Sequence, residues 1–397
     1  MTRDLSHARY RPIGVEPRLL KMEWLGRFIL PKVVLIFVLT GFVGASIAGA
    51  IVTSANIFEN FRRVNPYIGG ETLFNITARE LHGLLSEIPE NKVIVIVGGT
   101  SRFNGVGQSL ERLWTTKLQE LLGNDYEVVN LALRAGRPDQ FGNYAAEAMI
   151  AEGRKVIYVA DIHVTERFQP AGTYPAYYYI FYDASARGLL LPSPERDAAL
   201  ATFESANPKA VSELKLRATA NAFLNFDELW TYVGYEYAFL PGWSEMTIDA
   251  PFKARKLWPD GGIDGSFYDN YKMDAMMKYV EGFAAPLSLQ AIDALQNSVS
   301  VLPEPLRKRT LMATIKLSPY YTDRMPPVQR ASYEQNYISA AAAMARGGLR
   351  VVELGDDWTK DDYADGQHPS ARGGEKAAIK LAPLVEGLSR DLGYLQP

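Results

Sequence analysis

A serine in a glycine-rich turn and a histidine three residues after an aspartate are the residue types that perform nucleophilic acyl chemistry. The serine is Ser101, in Val97-Gly98-Gly99-Thr100-Ser101-Arg102-Phe103-Asn104-Gly105-Val106-Gly107-Gln108. The histidine is His368, in Asp365-Gly366-Gln367-His368-Pro369. A serine hydroxyl attacks only when a base takes its proton, and an imidazole oriented by a carboxylate is such a base. Pro369 biases His368 away from the α region, which puts the histidine on a loop ahead of the last helix. On a turn, Asp365 can accept the Nδ1–H of that ring and leave the other nitrogen for Ser101. The glycines allow a tight turn and close backbone approach, and N–H groups of a following helix can hold an oxyanion.

Other readings of the glycine run fit less well. The phosphate-loop pattern G-x-x-x-x-G-K-[ST] is absent, as is the G-x-S-x-G elbow. Gly99, Gly105 and Gly107 lack the dinucleotide spacing, and no acidic residue closes the second strand. A plain strand-to-helix turn and an idle His-Pro loop stay open as bland alternatives. Composition narrows the chemistry further. There are no cysteines, which excludes disulfides, thiolate metal sites and a cysteine nucleophile. His7, His82, His163 and His368 are the only histidines, so a multi-histidine metal centre is not expected, and without either glycine fingerprint no cofactor is expected. Lys+Arg 42 against Asp+Glu 45 gives a net charge of -3, which argues against a generally basic nucleic-acid binder.

The elements that must position these residues alternate. Lys92–Val97 reads as a buried parallel strand, Leu110–Leu122 as a helix, Glu127–Leu131 as a strand, Asp139–Glu152 as a helix and Lys155–Ala160 as a strand. Strands at Leu311–Leu317 and Leu349–Leu354 flank a helix near 328–346, and a final helix over 371–388 carries Pro383 as a kink or break. Such alternation means a parallel α/β sheet. Between Asp161 and residue 310 it lapses into an aromatic-rich insertion with a helical stretch near 206–234. There Thr173–Tyr182 (TYPAYYYIFY) reads as core strand packing, as a stacking surface for sugar rings or as a membrane-proximal belt, and Trp230, Trp243 and Trp258 share that ambiguity.

No charged residue occurs between Lys32 and Glu59. The apolar run 33–58 is long enough to cross a bilayer, for which about 20 residues suffice. Gly41, Gly44, Ala45, Ala48 and Gly49 on it permit close helix packing. Arg3, Arg9, Arg11, Arg18, Lys21, Arg27 and Lys32 precede it, opposed only by Asp4, Glu16 and Glu23. The positive-inside bias then places the N-terminus in the cytoplasm and the bulk of the chain outside, on an uncleaved signal anchor.

The two motifs together resemble the SGNH (GDSL-type) hydrolase superfamily. Its nucleophile block falls on Gly99-Thr100-Ser101, with Thr100 in place of the usual Asp. Its glycine block falls on Asn130-Leu131-Ala132-Leu133-Arg134-Ala135-Gly136, and its D-x-x-H block on Asp365-Gly366-Gln367-His368. The third block departs: Asp161-Ile162-His163 stands where Asn is expected, and an ionised carboxylate cannot donate to an oxyanion, so Asp161 is expected either to bind a substrate hydroxyl or to hold an arginine. The resemblance implies a three-layer α/β/α fold with a parallel sheet, a large insertion and one N-terminal transmembrane helix. The implied organisation is a cytoplasmic basic segment (1–32), an anchor (33–58), a linker and helix (59–90), core (91–165), insertion (166–309) and core again (310–397).

The resemblance also implies a Ser101–His368–Asp365 triad with an oxyanion hole from the N–H groups of Ser101 and Gly136. Arg102, Arg134, Arg137, Asp161, Tyr320 and Tyr321, with His163 as a weaker candidate, are the expected substrate contacts. An anchored, outward SGNH-like domain is similar to envelope acyl-modification proteins of the teichoic acid D-alanyl transfer or alginate acetylation type. The implied function is serine-dependent acyl transfer on an envelope polysaccharide, as O-acyltransferase or esterase, in a bacterial-type inner or plasma membrane. A single span implies a multispanning O-acyltransferase partner to bring the acyl group across. The alternative is a non-catalytic envelope assembly or polysaccharide-binding protein on the same scaffold.

Overall fold

The computed structural model describes residues 23–52, 67–68, 72–73, 77–105, 108, 112–133, 136–168, 175–233 and 273–395. At its centre is a five-stranded parallel sheet in the order β2-β1-β3-β4-β5. The strands are β1 (Val93–Gly98), β2 (Tyr126–Asn130), β3 (Val156–Asp161), β4 (Thr310–Ile315) and β5 (Arg350–Leu354). The chain leaves β1 to one side for β2 and returns to the other side for β3. The carboxyl ends of β1 and β3 therefore bound the crevice where open α/β sheets place ligands.

Long helices precede and follow the early strands: α1 (Glu23–Val52), α2 (Ala78–Ser86), α3 (Trp114–Leu122) and α4 (Gly142–Ala151). The insertion between β3 and β4 contributes α5 (Pro175–Ala186), α6 (Pro194–Ala206), α7 (Pro208–Leu224), α8 (Phe226–Val233), α9 (Met273–Gly282) and α10 (Leu289–Ser298). The core closes with α11 (Pro327–Arg346) and α12 (Ala371–Asp391).

Every residue of β1 is buried, because helices cover both faces of the sheet. Val93, Val95 and Val97 pack with Trp114 and Leu118 of α3 and with Ala378, Leu381 and Leu388 of α12. Ile94 and Ile96 point the other way, toward Leu81 and Leu85 of α2, Met149 of α4 and Tyr337 and Ala340 of α11. This alternation across a β-branched run makes the molecule α/β/α in three layers.

Some elements differ from the sequence expectation. The expected helix from 139 starts at Gly142, because Gln140 N–H closes a turn on Arg137 O at 3.1 Å and Phe141 has φ 55°. The last helix runs through Pro383 to Asp391 without a break. The aromatic run at 175–182 is part of the helix α5, not a strand, and Tyr179, Ile180, Phe181 and Tyr182 are buried in the core. Four consecutive buried residues mean that this part of the helix is enclosed on all sides and presents no stacking face; the side chains of 173–178 lie outside the described residues. Trp230 of α8 is 70% exposed, whereas Trp243 and Trp258 lie outside the described residues.

The apolar stretch Pro31–Val52 of α1 has 22 residues and is almost wholly exposed. At about 1.5 Å per residue it reaches about 33 Å, the thickness of a bilayer core. Its length and composition are consistent with a single-pass membrane anchor; residues 53–58 of the expected span lie outside the described residues. Gly49 lies directly against the Asn225 backbone between α7 and α8, and the Phe42 ring meets Phe226 edge-on at 4.7 Å.

The end of β1 has no room for a side chain. A Cβ on Gly98 would stand 2.0 Å from the Tyr158 hydroxyl oxygen and 2.6 Å from its ring. That ring is held by its own hydrogen bond from Oη to Pro138 O, at 2.6 Å. G98A is therefore expected to cost about 1–3 kcal/mol, as overpacking of a tight core does. Urea unfolding of the full chain in detergent should show a lower midpoint with an unchanged slope; an unchanged midpoint would mean that the β1–β3 crossing is not tightly packed.

Candidate active site

β1 delivers its carboxyl end to Gly99, whose φ of +99° lies in the left-handed region that favours glycine. A side chain there would also meet the Asp161 carboxylate at 2.4 Å. The chain then turns into a short helix, Ser101–Asn104, capped by the Thr100 side chain. As the first helical residue, Ser101 has an N–H with no intrahelical acceptor.

Asp161 ends β3 beside this turn and binds both residues that flank the serine. Its Oδ1 accepts the Thr100 N–H and its Oδ2 accepts the Thr100 hydroxyl, each at 2.7 Å. Arg102 Nε–H donates to Oδ2 at 2.9 Å, and Nη1–H donates to Ile315 O at the end of β4, at 3.1 Å. Arg102 and Asp161 are 1% and 0% exposed, so this is a fully buried ion pair.

The histidine arrives on a loop pinned at several points. Ala364 N–H donates to His368 O at 2.7 Å, and Ser318 N–H, just past β4, donates to Gly366 O at 2.9 Å. Gln108 Nε2 reaches Pro369 O and Ser370 O at 3.2 and 3.3 Å, which joins the nucleophile segment to the histidine segment. Ser370 then caps α12 through the Gly373 N–H.

Within this loop Asp365 Oδ1 accepts the N–H groups of Gln367 and His368, both at 2.8 Å. Asp365 Oδ2 lies 2.6 Å from His368 Nδ1, and His368 Nε2 lies 2.8 Å from Ser101 Oγ. Burial alone would push the Asp365 carboxyl up, but the His368 ring and the two backbone donors outweigh it and hold it below its ordinary range. An ionised carboxylate only accepts, so Nδ1 carries the proton and Nε2 presents its lone pair to the serine hydroxyl. Ser101, His368 and Asp365 thus form a Ser-His-Asp network of the serine-hydrolase type at the switch point of a parallel sheet.

The remaining expected contacts are distributed unevenly. Gly136 packs against the turn, since a Cβ on it would lie 2.8 Å from Gly99 O, and its N–H donates to Leu133 O at 3.0 Å. Arg102 and Asp161 face each other below the serine, as described. Arg137 is half-buried and donates to Arg167 O at 3.0 Å. His163 is half-buried, with its ring 5.5 Å from that of Phe283. Tyr321 is buried, and Tyr320 stacks beneath the Arg324 guanidinium at 3.8 Å. Arg134 lies outside the described residues. Tyr279, from α9, was not expected at the site; its hydroxyl donates to Gln367 Oε1 at 2.7 Å, next to His368. No motif marks it, because its place depends on how the insertion folds back.

The sequence matches no protein-family model and no curated protein.

A carboxyl with a folded-state pKa below its unfolded value contributes stability that is complete above about pH 4 and lost as pH falls through the lower value. The stability gap between wild type and D365N is expected to be level from about pH 5 to 7 and to shrink toward about pH 3. Chemical unfolding across that range checks this; a gap that widens in acid would reverse the sign.

Proposed function

We propose that this protein is a membrane-anchored, SGNH-like serine acyl-transfer enzyme acting on a polysaccharide or related polymer of the cell envelope. The observation that carries the reading is the Ser101–His368–Asp365 network at the carboxyl edge of a parallel sheet in the order β2-β1-β3-β4-β5. The basic residues before α1 support a cytoplasmic N-terminus and an outward catalytic domain. One span cannot carry an activated acyl group across the bilayer, so a multispanning acyltransferase is the partner that supplies it.

In this reading His368 Nε2 takes the Ser101 proton as Oγ attacks an ester or thioester carbonyl. The tetrahedral oxyanion is held by backbone N–H groups of Ser101 and Gly136, the latter bifurcating from its turn with Leu133 or reorienting. Collapse breaks the bond to the leaving alcohol or thiol, which takes the proton from His368. The acyl-serine then passes to water or to a sugar hydroxyl, whose proton His368 removes in turn. Acid and base are the same imidazole at successive steps, kept in one tautomer by Asp365.

Membranes containing the full chain should be labelled by a fluorophosphonate probe, and S101A and H368A should each abolish the label. D365N should slow labelling by about two to four orders of magnitude, the scale for losing the orienting carboxylate of a triad. Labelling that persists in S101A would exclude Ser101 as the nucleophile. With an aryl acetate donor, acetate appearing on an added oligosaccharide means transferase; free acetate regardless of acceptor means esterase.

A further inference from the structure

The insertion meets α1 along an apolar seam. Helix α8 places Phe226, Leu229, Trp230 and Val233 at i, i+3, i+4 and i+7, which is one face of a helix. That face turns toward α1, where the Phe226 ring meets Phe42. Between the two helices runs a groove of about 560 Å³, lined by Phe37, Gly41 and Ala45 of α1 and by Leu229, Trp230 and Val233 of α8. No charged side chain lines it, and Gly41 and Ala45, one turn apart, lack the bulk to fill it. Trp230, and Phe223 on the preceding helix α7, are 70% and 77% exposed.

The charged residues of α8 are held elsewhere. Asp227 accepts from Arg217 Nε and Nη2 at 3.2 and 2.8 Å. Glu228 is fully buried and accepts from Thr77 Oγ1, Arg187 Nη2 and Asn221 Nδ2 at 3.0, 2.7 and 3.0 Å. Both carboxylates are therefore paired on the protein side of α8, and the face toward α1 has no charge to desolvate.

The seam also has a depth. Gly49, against Asn225 just ahead of α8, lies about 5 Å along the helix axis from Val52, and Phe42 lies about 15 Å from it, at about 1.5 Å per residue. The stretch Pro31–Val52 is about as long as a bilayer core is thick. A helix packed on α1 at the level of Phe42 cannot stay in water while α1 spans the membrane. The groove opens on the same exposed apolar surface as the anchor, and the medium on that surface is hydrocarbon.

We propose that α8 and its groove against α1 lie within the bilayer leaflet on the catalytic domain's side, and that a lipid acyl chain fills the groove. The inference rests on α1 being the membrane anchor and goes beyond it by making the insertion a second membrane contact. An acyl chain suits a lining that carries no charge and that continues onto the lipid-facing side of α1. A water-soluble partner would have to displace lipid from Phe37 and Gly41, well inside the span.

The chain has no cysteine, so single cysteines can be labelled without background. The test uses the full chain in phosphatidylcholine vesicles, with I36C, W230C, V233C and I379C each carrying a nitroxide and each matching wild type in circular dichroism. Ile36 is exposed on α1 and Ile379 on α12, so they serve as the lipid and water references. Collision with oxygen, which dissolves in hydrocarbon, is compared with collision with a polar nickel chelate, which does not. W230C and V233C are expected to give an oxygen-to-nickel ratio within about threefold of I36C and at least about tenfold above I379C, the scale of excluding a polar solute from hydrocarbon. A ratio like that of I379C at either α8 position, with I36C lipid-exposed, refutes the immersed groove and leaves the anchor standing. Low collision with both reagents at either position means that protein fills the groove in place of lipid, which also refutes the proposal; dipolar broadening between labels then identifies a second copy. If I36C itself reads like I379C, the anchor reading fails and the proposal with it.

Discussion

The Asp161 carboxylate is the fixed point of the site. It is fully buried and receives bonds from Thr100 and Arg102, the residues on either side of Ser101. A buried charge is tolerated only when it is paired and hydrogen-bonded, and here each condition also locks the nucleophile turn. Removing either partner would leave an unpaired charge in the core, at a cost of about 3–5 kcal/mol. Arg102 extends the brace to the end of β4 through Ile315 O, so three adjacent strands, β1, β3 and β4, fix the height of one serine. The position read in sequence as a departure from the family pattern is therefore occupied by the group that orders the turn.

The histidine side is organised by the opposite strategy. Its loop is shaped by hydrogen bonds to its backbone: the Ser318 N–H and the Gln108 side chain reach it from distant segments, and the Ala364 N–H closes it on His368 O. Asp365 accepts two N–H groups as well as the ring proton, so the same carboxylate folds the loop and orients the base. A carboxylate that satisfies local backbone donors stays ionised despite burial, which is the state the triad needs. Gln108 ties this loop to the chain following the serine, so the two halves of the triad, far apart in sequence, share a bonded frame.

Much of this was legible in the sequence for identifiable reasons. A β-branched run such as Lys92–Val97 buries both faces only in a covered parallel sheet, and the D-x-x-H-P spacing closes a turn by itself. These are local signals. What was not legible depends on contacts across the fold. The sequence offers Asp161 as a carboxylate able to hold an arginine, but nothing near it says that the arginine is Arg102 or that its oxygens also reach back to Thr100, and nothing near Tyr279 says that it meets Gln367. The aromatic run of α5 failed as a strand because consecutive large side chains are equally at home around a helix with neighbours on every side, and periodicity cannot tell the two apart. Helix ends slipped where a turn consumed the first residues, as before Gly142.

The insertion and the anchor bear on the same chemical choice. Any acyl-serine is partitioned between water and another acceptor by how long it waits beside water and how well that acceptor is held. The insertion supplies Tyr279 directly to the histidine loop, so an element outside the core sheet helps to shape the entrance to the base. It also carries Asn225 and Phe226, which contact α1 at Gly49 and Phe42. One inserted segment thus touches both the membrane helix and the triad loop. The helix α1 and the loop that carries the base are thus joined through one folded segment, so the setting of His368 is coupled to the packing of α1.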